Sequence, residues 1–161
     1  MFRGTILLID RFSRMNTLIN SYLSASGFVV ECMRSVDDLR TVRLNMIHLA
    51  LLDIDTAGGR LKEILEQMKS AGVPVIVLTS ESDHAGRLSA LELGAADVMS
   101  RPLDIAELVA RIRAAQARTQ VSVTGFDRPP VSFGGLTVDI SKYRAELDGE
   151  PLNISPKETA L

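Results

Sequence analysis

Short apolar runs alternate with longer stretches in which apolar residues recur every three or four positions. Continuous apolar runs of this kind are typical of strands that are buried on both faces of a sheet. The predicted strands are Thr5–Ile9, Phe28–Cys32, Leu49–Leu52, Val75–Leu78 and a weaker run, Asp97–Met99.

The stretches between these runs predict amphipathic helices, because their apolar positions fall on one face at helical spacing. Ser35 is suited to cap the second helix and Asp104 the fifth. The predicted helices cover Met15–Leu23, Val36–Leu44, Leu61–Met68, Leu88–Leu91 and Ile105–Ile112. The pattern is therefore five strand–helix units, which predicts an α/β, doubly wound parallel sheet over residues 1–118.

The organisation changes after Arg118. Residues 119–130 are polar and end in Pro129-Pro130, which predicts a linker. Short strands follow at Val131–Phe133, Leu136–Ile140, Arg144–Leu147 and Pro151–Ile154, with a hairpin signal at Asp148-Gly149. Ser155-Pro156-Lys157-Glu158 combines a capping box with proline at the first helical position. Residues 131–161 thus predict a short antiparallel sheet and a helix start, the opening of an incomplete second domain.

Composition narrows the class of protein. Of 161 residues, 46% are hydrophobic and 24% charged, and the net charge is −2, which is ordinary for a globular protein and gives no sign of nucleic-acid binding. No apolar run approaches the length of a membrane span. The single cysteine, Cys32, is expected to be a buried strand residue, and it suits a reducing compartment. We therefore expect a cytoplasmic protein without membrane contact.

The candidate chemistry lies where the predicted strands end. Asp10-Arg11 follows the first strand, Asp53 the third, Thr79 the fourth and Arg101 the fifth. Ligands of an open parallel sheet bind at the carboxyl ends of its strands. We therefore expect two carboxylates, one hydroxyl and two cations to converge on one shallow pocket.

Two other interpretations of these residues stay open. Asp10 and Asp53 suit helix caps or loop positions in any doubly wound domain. A small enzyme on the same scaffold is a further alternative, but no glycine-rich phosphate loop follows the first strand, where Asp10-Arg11-Phe12-Ser13 stands.

Residues 5–118 resemble the receiver domain of bacterial response regulators, a CheY/flavodoxin-like fold. The motifs that carry the resemblance are Ile6–Asp10, Leu49–Asp53, Pro74–Thr79, and Leu91–Asp97 followed by Arg101-Pro102. The resemblance implies that Asp53 accepts a phosphoryl group, that Thr79 hydrogen-bonds the acyl phosphate, and that a sensor histidine kinase is a partner. It implies no enzyme in the usual sense, since phosphotransfer is onto the chain's own Asp53.

The tail resembles the amino-terminal sheet of the OmpR/PhoB-type winged-helix domain. The resemblance rests on Phe133–Asp139, Asp148–Leu152 and Ser155–Glu158. It implies a DNA-binding transcription regulator in a longer product, because the family's recognition helix lies further along than this chain. No DNA-binding residue is therefore predicted within the chain.

Three positions depart from the receiver family. Arg11 stands where the family has a second, magnesium-binding acid, and Arg101 stands where it has lysine. Asp10 and Asp53 remain as metal ligands, so we expect Mg²⁺, the family's cofactor, to bind weakly or not at all. We expect Arg11 to form a bidentate pair with Asp53 in place of the metal. Val98 replaces the family's aromatic switch residue, which puts the usual readout in doubt.

Charged residues around the fifth helix have two interpretations. Glu107 and Arg111 have the spacing of an ordinary i,i+4 pair on a solvated face. The family resemblance implies instead a homodimer through the fourth helix, fifth strand and fifth helix, with Arg87 opposite Glu107 and Asp97 opposite Arg111 across a two-fold axis. A phosphorylation-independent pseudo-receiver that acts as a protein-interaction module remains the alternative function.

Overall fold

A computed structural model describes residues 3–124, 131–133, 136–139, 144–147 and 150–152. The chain divides into two compact units, Met1–Ala117 and Arg118–Leu161. Each unit is described by itself below.

The first unit is a five-stranded parallel sheet whose successive strands are joined by helices or, between the second and the third, by 3-10 turns. The strands are β1 (Thr5–Ile9), β2 (Val29–Met33), β3 (Leu49–Asp53), β4 (Val75–Ser80) and β5 (Asp97–Arg101), in the spatial order β2-β1-β3-β4-β5. The helices are α1 (Ser13–Ala25), a single turn α2 (Ile54–Ala57), α3 (Leu61–Ser70), α4 (His84–Glu92) and α5 (Ile105–Thr124). The doubly wound α/β fold predicted from the alternation is confirmed.

The hydrophobic core forms a layer on each face of the sheet. Every residue of the central strand β3 is buried, because helices cover both faces. Leu52 belongs to the layer that contains Ile64 of α3, and Leu51 belongs to the opposite layer with Ile19 of α1. Burial on two faces explains why the strands appear in the sequence as continuous apolar runs rather than alternating ones.

The helix predicted over Val36–Leu44 is wrong. Val36–Thr41 and Leu44–Met46 form two 3-10 turns instead. Ser35 does cap the first of them, since its side chain accepts a hydrogen bond from the amide of Asp37 at 3.2 Å. Thr41 Oγ1 donates to the Asp38 carbonyl at 2.7 Å, which occupies the acceptor that an α-helix would give to residue 42.

Cys32 is exposed, so the expectation of a buried thiol is also wrong. It lies on β2, which is the edge strand of the sheet and has one neighbour, β1. A groove of about 880 Å³ lies beside this strand and is lined by residues of β2 and of the two 3-10 turns. Its surroundings still desolvate the thiol enough to raise the pKa of Cys32.

The second unit contains a four-stranded antiparallel sheet. Its strands follow one another in space as in sequence: β6 (Val131–Phe133), β7 (Leu136–Asp139), β8 (Arg144–Leu147) and β9 (Glu150–Leu152). They agree with the predicted strands to within two residues. The turn residues Gly134-Gly135 and Asp148-Gly149 and the predicted helix start at Ser155 lie outside the described residues.

Two further predictions concern the connecting region and the membrane. Helix α5 continues to Thr124, into the stretch that the sequence predicts as a linker, and residues 125–130 lie outside the described part of the chain. Among the residues that the structure describes, no helix combines the length and apolar character needed to cross a membrane.

Candidate functional site

The register of the sheet brings the predicted site residues to one edge. Ile9 of β1 pairs with Leu52 of β3, so Asp10 and Asp53 directly follow neighbouring strand positions. Thr79 of β4 pairs with Ser100 of β5, and Arg101 is the next residue along. Parallel strands end on the same side of a sheet. The two acids, the hydroxyl and the guanidinium therefore lie at the carboxyl edge of the neighbouring strands β1, β3, β4 and β5.

Arg101 bridges the two acids. Its Nη2 donates to Oδ2 of Asp10 at 2.7 Å and approaches Oδ1 of Asp53 at 3.4 Å. The Asp10 side chain is fully buried and that of Asp53 is 3% exposed, whereas the Arg101 side chain is 22% exposed. Because the surroundings exclude most water, one guanidinium close to two carboxylates neutralises much of a charge that would otherwise be costly to bury.

Backbone and hydroxyl groups satisfy the other carboxylate oxygens. The amide of Phe12 donates to Oδ1 of Asp10 at 2.8 Å. The amide and the hydroxyl of Thr56 donate to Oδ2 of Asp53 at 2.9 and 2.8 Å. Asp53 therefore caps α2, so the alternative assignment of this acid as a helix cap is correct alongside its place in the pocket. All four oxygens have a donor within the chain.

The predicted bidentate pair between Arg11 and Asp53 is wrong. The Arg11 side chain is exposed, and its guanidinium carbon lies 5.1 Å from the centroid of the Phe12 ring. Its contribution to the site is its backbone amide, which donates to the Thr56 hydroxyl at 3.1 Å. The Arg11 guanidinium therefore stays exposed over an aromatic ring, and Arg101 is the cation that contacts both acids.

Thr79 and Asn16 are the other buried polar residues near the two acids. Thr79 is 1% exposed, and its hydroxyl donates to the Met99 carbonyl at a long distance of 3.5 Å. Asn16 of α1 donates from Nδ2 to the Asp10 carbonyl at 2.8 Å, while its Oδ1 is buried without a hydrogen-bond partner. Sequence reasoning missed both Asn16 and Thr56. The position of Thr56, three residues after Asp53, is the capping spacing that reveals it.

The donor set does not fit a magnesium ion. Mg²⁺ requires a shell of oxygen ligands in octahedral geometry. The two carboxylates here are already held by Arg101, Thr56 and Phe12, and a guanidinium stands within 2.7 Å of Asp10. Within the described ranges, no group of three or more His, Cys, Asp or Glu side chains is arranged to hold a metal.

The charged residues of the predicted dimer face are paired within one chain. Arg111 contacts Asp97 through Nη1 and Glu107 through Nη2, each at 2.7 Å. These hydrogen bonds raise the pKa of Arg111. Arg87 donates to the Ser100 hydroxyl at 3.0 Å. The i,i+4 pair between Glu107 and Arg111 is therefore present. The exposed side chains of Leu88 and Leu91 make the α4 surface apolar.

A protein-family comparison agrees with this fold. Residues 6–113 match the model of the response regulator receiver domain, which is more than half of the chain. The chain belongs to this family. Receiver domains of the family bind Mg²⁺ and typically interact with sensor histidine kinases.

The similarity of this chain to individual relatives extends beyond the receiver domain. The chain is 35% identical over 164 residues to the transcriptional regulatory protein GltR of Pseudomonas aeruginosa, covering 98% of this chain and 67% of the relative. It is 29% identical over 168 residues to the phosphate regulon transcriptional regulatory protein PhoB of the same organism, covering 100% and 71%. A solved receiver domain of Clostridium thermocellum superposes with a TM-score of 0.66 at 26% identity, covering 74% of this chain and 99% of that one. The homologues of this chain thus include OmpR/PhoB-family transcriptional regulators.

Proposed function

We propose that this chain is the signal-receiving part of a two-component response regulator that controls transcription, and that its receiver is atypical. Asp53 is the phospho-acceptor, and Mg²⁺ binds weakly or not at all. The observation that carries the proposal is Arg101, which lies between Asp10 and Asp53 at the strand edge within the matched receiver region. The similarity to GltR and PhoB supports the role in transcription.

The chemistry of phosphoryl transfer suits this arrangement. Transfer onto Asp53 develops negative charge on the phosphoryl oxygens, which a metal ion and cations usually neutralise. Arg101 supplies a planar cation with several donors beside the acceptor carboxylate, and such a fork matches phosphate geometry. The buried hydroxyl of Thr79, with one long hydrogen bond to the Met99 carbonyl, is free to rotate toward an acyl phosphate.

The transcriptional output is assigned to an OmpR/PhoB-type winged-helix domain. The antiparallel sheet β6–β9 corresponds to the opening strands of an OmpR/PhoB-type winged-helix domain, and DNA contact follows from the part of that domain further along the family's sequence. We further propose a homodimer through α4, β5 and α5, in which the apolar Leu88 and Leu91 surface is covered by a second copy.

A second candidate function has a specific observation in its favour. All four oxygens of Asp10 and Asp53 already accept hydrogen bonds or contact a guanidinium inside the chain. A pocket satisfied in this way needs no phosphoryl group to be stable. This favours a phosphorylation-independent pseudo-receiver that acts as a protein-interaction module.

Phosphotransfer from a histidine-kinase domain separates the two candidates. Autophosphorylated kinase from the same organism is mixed with the wild-type chain, with Asp53→Asn and with the matched control Asp55→Asn, whose residue is exposed two positions further on. The proposal predicts label on the wild type and Asp55→Asn but not on Asp53→Asn. Kinase binding by all three proteins without any label would support the interaction module instead.

A further inference from the structure

Asp10 and Asp53 lie at different distances from the same nitrogen of Arg101. Nη2 is 2.7 Å from Oδ2 of Asp10 but 3.4 Å from Oδ1 of Asp53. Both carboxylates are buried to nearly the same degree, at 0% and 3% exposure, so desolvation does not explain the difference. The cause must lie in what holds each carboxylate in place.

Asp53 is held on its other oxygen. Thr56 places both its amide and its hydroxyl on Oδ2, at 2.9 and 2.8 Å. The hydroxyl is itself fixed, because the amide of Arg11 donates to it at 3.1 Å. The Arg11 amide, the Thr56 hydroxyl and the Asp53 carboxylate thus form a chain of hydrogen bonds. It runs from the β1–α1 connection to Oδ2 of Asp53. Two short bonds on Oδ2 prevent the carboxylate from rotating toward Arg101, and Oδ1 keeps one long contact.

We propose that Thr56 is a positioning residue that keeps Oδ1 of Asp53 available as the attacking oxygen. This inference rests on the proposed function and extends it to the orientation of the nucleophile. With phosphoramidate as donor, a bond forms between Oδ1 and phosphorus, the phosphorus–nitrogen bond breaks, and the nitrogen leaves as ammonia with a proton from solvent. Without the Thr56 hydroxyl, the carboxylate closes onto Arg101 and Oδ1 becomes occupied.

The Thr56→Val variant tests this role with little change in shape. It removes the hydroxyl but keeps the β-branched side chain and the backbone amide. We expect phosphorylation by phosphoramidate to slow about tenfold, the size expected when one hydrogen bond to a charged group is lost. Thr56→Ser keeps a hydroxyl and should restore the rate to near the wild type. Thr41→Val is the matched control, since Thr41 bonds to the Asp38 carbonyl in an exposed turn.

A second measurement does not depend on phosphorylation. Nuclear magnetic resonance follows the Arg101 guanidinium signals and the hydrogen exchange of the Arg11 amide. Thr56→Val should move the Arg101 signals and speed exchange at Arg11, whereas Thr56→Ser and Thr41→Val should change neither. If the wild type accepts no phosphoryl group, the proposed function fails, and this measurement still judges the hydrogen-bond chain.

Three results would overturn the inference. The first is a Thr56→Val variant that is phosphorylated as fast as the wild type or faster, which would make Thr56 neutral or inhibitory. The second is a Thr56→Ser variant that is as slow as Thr56→Val, which would place the effect in folding rather than in the hydroxyl. The third is an unchanged Arg101 spectrum in Thr56→Val.

Discussion

Arg101 and Asp10 form the shortest charged contact in the pocket, 2.7 Å between Nη2 and Oδ2, and the acid in this pair is fully buried. A buried carboxylate without a cation or metal is strongly unfavourable. In this receiver the cation comes from the last residue of β5. The guanidinium of Arg101 is thus a permanent positive charge beside both buried acids.

Arg101→Ala should destabilise the first unit. Removal of the guanidinium leaves two buried acids unpaired, and breaking a buried pair costs about 2–4 kcal/mol when one partner stays partly exposed. Urea unfolding at neutral pH measures the loss. The same acids become free to bind an ion, so added Mg²⁺ should recover part of the stability in this variant and not in the wild type.

Arg113→Ala is the matched control for Arg101→Ala, because Arg113 is an exposed arginine on α5. Its stability should change by no more than about 0.5 kcal/mol, as is usual for surface positions, with or without Mg²⁺. Equal stability of Arg101→Ala and the wild type would contradict the assignment of Arg101 as the neutralising cation.

Arg11→Asp should raise the affinity of the pocket for Mg²⁺. The variant restores an acid at the position where the family has one, and the lost arginine is solvated over Phe12, so folding should be little affected. We expect at least a tenfold tighter dissociation constant in a calorimetric titration, which corresponds to about 1.4 kcal/mol. Arg14→Asp, an exposed position three residues along, should bind Mg²⁺ like the wild type. Identical binding by both variants would show that Arg101 alone determines metal affinity.

Arg111→Glu tests the proposed dimer. The change places three negative charges together at Asp97, Glu107 and position 111, and like charges at an interface oppose association. Sedimentation should show a shift from dimer to monomer. Arg113→Glu on the same helix gives the same change in net charge and should leave the mass unchanged. A monomeric wild type, or no shift in Arg111→Glu, would argue against the α4–β5–α5 interface.

Arg60→Ala should weaken the contact between the 3-10 turns and α3. Arg60 contacts Asp37 at 2.7 Å and Glu63 at 3.0 Å, and its hydrogen bond lowers the pKa of Glu63. An acid with a lowered pKa stabilises the fold above its unfolded pKa, and this contribution disappears as the pH falls and Glu63 is protonated. The difference in unfolding free energy between wild type and Arg60→Ala should therefore shrink in acid and at high salt. Lys62→Ala serves as the comparison, since its pair with Glu66 is 3.9 Å long.

The sequence predicts the parallel sheet well because its inner strands β1, β3 and β4 are buried on both faces. The apolar runs around Leu51 and Ile76 leave little freedom for where the strands begin and end. It predicts the second helix badly because the hydroxyl of Thr41 competes locally with the backbone, a contact that apolar spacing does not report. The winged-helix interpretation of the tail remains a prediction.

The candidate site, like the fold, could be predicted from the sequence only in part. The sheet register alone is enough to bring Asp10, Asp53 and Arg101 together, and strand ends can be predicted from sequence. Which arginine reaches the acids depends on side-chain direction after the strand ends, so the pair assigned to Arg11 belongs to Arg101. The role of Thr56 could not be predicted from the sequence, because it depends on Asp53 being both the cap of α2 and the proposed phospho-acceptor.

The magnesium dependence of Asp53 phosphorylation tests the central claim most directly. The chain is incubated with phosphoramidate, once with Mg²⁺ and once with a chelator, and is weighed intact by mass spectrometry, with Asp53→Asn as the blank. If Arg101 takes the place of the metal, the fraction carrying one phosphoryl group should be the same under both conditions and absent in Asp53→Asn. Efficient phosphorylation that disappears when the chelator is present would contradict the account.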